Sequence, residues 1–94
     1  MFVPLLAFGQ EPSEVTKLQA GMPSPIAVLI SRIVDCNHWQ GEEPYDSERA
    51  AQIQKAIVEL SCTSLGTDEK AALRSFGRMP GVRNAITAAK KVYL

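Results

Sequence analysis

Aliphatic side chains in this chain recur three and four positions apart, in stretches divided by proline and glycine, and that rhythm most restricts what the chain can fold into. Residues so spaced share one face of an α-helix, whereas a half-buried strand requires alternation. Ile26, Leu29, Ile30, Ile33 and Val34 make one such stripe, and Ala27, Val28 and Cys36 leave much of the remaining circumference apolar too. A helix of that kind, from Pro25 to about His38, belongs at the centre of a fold. Ala50, Ile53, Ile57 and Leu60, widened by Ala56, make a second stripe between Asp46 and about Cys62. Val82, Ala85, Ile86, Ala89 and Tyr93 make a third, on a helix expected to run to about Val92. No stretch of four or more residues alternates convincingly, and neither Asn-Gly nor Asp-Gly occurs, so strands lack support.

Caps and breakers divide the rest. Ser13 and Glu14 mark the start of a short helix that Gly21 stops near Ala20, and Met22-Pro23-Ser24-Pro25 is turn chemistry. Gly41-Glu42-Glu43-Pro44 ends the central helix, and Asp46 caps the next. Thr67, followed by Asp68 and Glu69, is the expected cap of a fourth helix with Ala72, Leu73 and Phe76 facing inward, which Pro80-Gly81 separates from the fifth. Pro4 disfavours a regular helix through Phe2 to Phe8, so residues 1–10 are expected to be an extended arm. A chain of 94 residues, 46% hydrophobic and 21% charged, is expected to form one domain, with the arm at 1–10 and a helical core at 11–94. The expectation is an all-α fold, a compact bundle of four to five short helices with an extended apolar N-terminal arm.

The uncharged stretch Phe2–Gln10 is about half of the roughly 20 residues a membrane-spanning helix needs, so no membrane insertion is expected. The same stretch ends in small residues like a secretory cleavage site, but no Lys or Arg precedes it, which argues against a signal. Cys36 and Cys62 are too few for a dense disulfide scaffold or a four-ligand zinc site made of thiolates. They read as two core thiols on packed helices in a reduced, cytoplasmic protein. His38, the only histidine, stands near Cys36, Asp35, Glu42, Glu43 and Asp46, but positions two apart on a helix project to different sides, so a Cys36–His38 pairing is disfavoured. With no phosphate loop, zinc spacing, nucleophile elbow or dinucleotide fingerprint, a non-enzymatic protein without metal or cofactor is expected. Trp39 is either a lid on the core or an exposed anchor for a partner, and the apolar arm is a candidate surface for homo-oligomer formation.

Charge narrows function further. All ten acids and four of the ten bases lie at or before Glu69, and the remaining bases, Lys70, Arg74, Arg78, Arg83, Lys90 and Lys91, follow without one acid among them. Lys70, Arg74 and Arg78 are four apart and form a line on a helix, while Arg83 and Lys90 lie two turns apart on the next. Either acids of the third helix or of the Glu42–Glu48 loop face this stripe, or it is a solvated face, or it meets a partner. The expected role is a protein-interaction or adaptor module whose charged helix faces take an acidic protein surface, with nucleic acid as the alternative ligand. Within the basic region, Met79-Pro80-Gly81-Val82 resembles the hairpin of the helix-hairpin-helix DNA-binding family, with Arg83 where that family's second glycine is expected. The resemblance implies backbone amides near a phosphate. Leu65-Gly66-Thr67-Asp68-Glu69 resembles part of the calcium-binding loop of annexin repeats, with Ser64 in place of the preceding glycine and no later acid to complete a site, and a capped helix start accounts for the same residues.

Overall fold

Five α-helices follow one another in the computed structural model, which describes residues 13–93: α1 (Glu14–Gln19), α2 (Ser24–Gln40), α3 (Ser47–Glu59), α4 (Leu65–Phe76) and α5 (Val82–Ala89). The expected arm lies outside the described residues. No strand occurs among the described residues, and the fold is a small all-α bundle.

Helix α2 is the hub. Pro25 sits in its first turn, where a missing amide costs nothing, and its 17 residues touch every other helix. Ile26, Leu29, Ile30, Ile33 and Val34 are all buried, as the spacing predicts. Val82, Ala85, Ile86 and Ala89 of α5 close over them, with Val15, Leu18, Leu73 and Phe76 packed around the edge. Truncating a side chain such as Ile30 or Ile33 to alanine is expected to cost about 2–5 kcal/mol.

Local chemistry sets the helix ends. Ser13 Oγ accepts from the amide of Thr16 at 3.1 Å and Asp46 Oδ1 from that of Arg49 at 2.8 Å, as the capping residues predict. Thr67 is not a cap. The 3₁₀ turn Cys62–Ser64 feeds directly into α4, so the helix begins at Leu65 and Thr67 lies inside its first turn. Helix α3 stops at Glu59, short of Cys62, because Ser61 adopts a left-handed backbone with φ 52°. Helix α5 stops at Ala89, short of Val92. There Asn37 of α2 donates from Nδ2 to the carbonyls of Lys90 at 3.1 Å and Val92 at 3.0 Å, taking acceptors that helix ends leave open. Tyr93 then turns outward with φ 71° and is 67% exposed, contrary to its expected place on the buried face.

Two further expectations fail. The third helix has the cleanest stripe, yet Ile53 is its only buried residue, Ile57 and Leu60 are half-buried, and Ala50 is exposed. Among the described residues, helix α3 touches only α2 and the 3₁₀ turn, and none of the other described elements covers the rest of its apolar face. The cysteines are not free thiols: Cys36 and Cys62 form a disulfide with Cα atoms 5.7 Å apart, because the turn at Ser61 folds Cys62 back over α2.

A candidate basic docking face

Helices α4 and α5 are in contact, and three of the six basic residues gather where they meet. Lys70 and Arg74 from α4 and Arg83 from the start of α5 line a shallow open groove of about 350 Å³ around Leu73. All three basic residues are exposed, and no carboxylate of the described residues pairs with them. Gly77, at the end of α4, makes room for Arg83: a Cβ there would overlap the Leu73 carbonyl and stand 2.8 Å from Arg83 Nη2. The absence of a side chain at this position lets the guanidinium lie against the helix end, where carbonyl oxygens favour a cation.

The other basic residues part company with these three. Arg78 falls in the turn beyond Phe76, which breaks the expected line after Arg74. Lys90, which caps α5, pairs at 3.1 Å with Glu69 of α4. Lys91 is exposed past the helix end. The acid that meets Lys90 therefore comes from the same pair of helices, and neither α3 nor the Glu42–Glu48 loop supplies an ion pair to any of the six among the described residues.

Trp39 is half-buried and its ring is covered by Arg49, with the guanidinium carbon 5.1 Å from the centroid. Arg49 is held there by Glu42 at 2.7 Å. That hydrogen bond, strengthened by charge, holds the Glu42 carboxyl below its ordinary range and raises the Arg49 guanidinium above its own. His38 packs edge-on to Trp39 and lies 3.8 Å from Glu42 and 5.3 Å, centroid to centroid, from Tyr93. A thiol–imidazole pair does not form, since Cys36 is bound to Cys62, and no three His, Cys, Asp or Glu side chains converge as metal ligands among the described residues.

A junction that periodicity does not reveal lies on the other side of α4. Arg32 of α2 donates to the carbonyls of Leu60 at 2.8 Å and Ser61 at 3.1 Å, to Ser64 Oγ at 3.3 Å, and to Asp68 at 2.6 Å. It closes the end of α3 and fastens the start of α4. Hydrogen bonds from Arg32 and then Ser64 hold the Asp68 carboxyl below the usual range. Arg32 and Asp68 form one wall of an open groove of about 460 Å³, whose other lining residues include Val28, Asp35, Glu59 and Leu60.

Both local resemblances change meaning in this setting. Leu65–Glu69 is the opening turn of α4, not a loop, and Asp68 is engaged by Arg32 and Ser64, so the likeness to an annexin calcium loop is overturned. Met79–Gly81 does form a turn between two helices, with Gly81 at φ 84°. A Cβ on Gly81 would lie 3.3 Å from Met22 Cε, so that side of the glycine faces the domain itself. No protein-family model matches the chain, and no characterised protein or solved structure is detectably similar to it.

Proposed function

We propose that this chain is a non-enzymatic interaction module whose α4–α5 groove takes an acidic protein surface. The observation that carries the reading is the convergence of Lys70, Arg74 and Arg83 around Leu73 with no carboxylate of the described residues upon them. Three cations around an apolar centre fit a carboxylate-bearing protein patch, in which charge steers and apolar contact holds. Arg78 and Lys91 are exposed outside the groove, Lys90 is engaged with Glu69 and Trp39 is covered by Arg49, so none of these four belongs to it.

Nucleic acid is the second reading, favoured by the turn at Met79–Gly81 between the two basic helices. It is weaker. The groove is short, its centre is a leucine, and acids crowd the remainder of the chain, where a phosphate backbone would be repelled. The Cys36–Cys62 disulfide supports an oxidising compartment in place of the cytoplasm expected from cysteine number.

Fluorescence anisotropy with a labelled poly-glutamate peptide and with a short DNA duplex, from about 50 to about 200 mM salt, separates the readings. The peptide is expected to bind, weaken with salt, and be lost in K70E/R74E/R83E. Duplex binding stronger than peptide binding would favour nucleic acid. No salt-sensitive binding of either probe would remove the site.

A further inference from the structure

The molecule carries a second groove whose chemistry is the reverse of the first. Asp35 near the end of α2 and Glu59 at the end of α3 stand on its rim, both exposed and neither in an ion pair among the described residues. Val28, 66% exposed, and Leu60 supply apolar surface between them. Among the described residues, the one cation in this groove is Arg32, and it is engaged by Asp68 and three further acceptors, so it offers a visitor little positive charge.

The two grooves meet α4 on opposite sides. Asp68 lines one and Lys70 the other, and two positions on an α-helix are roughly 200° apart. A single molecule cannot fold its basic groove onto its acidic one. A second molecule can bring one to the other.

We propose that the acidic partner of the α4–α5 groove is another copy of this chain, docked by the groove that Asp35, Glu59, Val28 and Leu60 line. This rests on the reading of the α4–α5 groove as a site for an acidic protein surface. Lys70 and Arg74 of one copy meet Asp35 and Glu59 of the next, and Leu73 faces Val28 and Leu60 across the contact. The two patches differ, so the contact is head-to-tail. Each copy keeps one groove of each kind open until a further copy arrives, and the assembly closes as a ring or continues as a filament.

Sedimentation velocity at low salt tests this with two variants, K70E/R74E and D35K/E59K, whose folding is checked by circular dichroism. Wild type is expected to form species that grow with concentration and dissociate with salt, while each variant alone stays monomeric. Mixed together, the variants pair through their two intact grooves and also through the two reversed ones, Glu now against Lys, and are expected to regain assembly. By contrast, K70Q/R74Q mixed with D35N/E59Q keeps one working contact and is expected to give a one-to-one complex and nothing larger. The neutral pair D35N/E59Q is expected to lose association in the same way, which covers a failure of D35K/E59K to fold. A wild type that stays monomeric at low salt overturns the proposal, as does association that survives both charge reversals or variants that ignore each other when mixed. Poly-glutamate binding separates the two readings. If wild type is monomeric yet binds the peptide, the docking of copies fails and the basic site stands, whereas loss of peptide binding as well removes both.

Discussion

Asp68 shows how a single side chain joins three elements. Its carboxylate accepts from Arg32 on α2 and lies 3.1 Å from Ser64 Oγ, just before α4, and both contacts hold its acid form in check. A carboxyl with a lowered pKa in the folded state adds stability that is fully present above its unfolded pKa and disappears as pH falls through the folded value. The domain should therefore lose stability on acidification from about pH 4 downward. D68N, which keeps the shape and removes the charge, should flatten that acid limb while lowering the melting temperature at neutral pH. Melting curves of both proteins across the acid range check this, and parallel curves would show that Asp68 is not the responsible group. Glu42, held down by Arg49, contributes with the same sign and should leave a residual slope in the variant. None of this was legible in the sequence. Asp68 reads there as a first-turn acid suited to the helix dipole, and its partner lies 36 residues earlier, at a distance only the packed helices define.

Among the elements, α2 and α5 were readable because each buries its stripe against the other, so periodicity and packing agree. Helix α3 was over-read for the opposite reason. A stripe tells which face of a helix is apolar, but whether that face is covered depends on neighbours, and among the described residues α3 has only α2 and the 3₁₀ turn. The boundaries of α3, α4 and α5 moved because a left-handed Ser61, a 3₁₀ entry and the Asn37 amide each act through backbone geometry that residue type does not encode. The disulfide follows from the same displacement, since Cys62 reaches Cys36 only once the chain has left α3. It links residues 26 apart, which by loop-closure entropy should stabilise the domain by about 3–4 kcal/mol. Urea denaturation with and without reductant is expected to show that difference, with α3 protecting its amides least after reduction because it holds few other contacts. A reduced protein with an unchanged midpoint would mean that the core of α2 and α5 suffices alone.

At the scale of the whole molecule, a formally neutral chain keeps its charges apart. The sequence pointed to the basic residues after Glu69, and the structure sorts them into a groove of three, a turn, a paired lysine and an exposed one. It also brings together Asp35 and Glu59, which no spacing rule associates. Segregation of this kind works against the isolated fold, because Lys70 and Arg74, one turn apart, face a third cation across the seam and repel. Neutralising them should therefore act with opposite signs on folding and on binding. K70Q/R74Q is expected to hold or raise stability by about a few tenths of a kcal/mol, read by urea denaturation, while weakening capture of an acidic surface at low salt. Arg32 provides the contrast, since R32A removes the group that fastens α3 and α4 to α2 and should destabilise the domain with the α4–α5 groove left intact. If K70Q/R74Q instead proved less stable than wild type, those side chains would have to be holding the bundle together, and the groove they line would be part of the scaffold with no surface kept open for a partner.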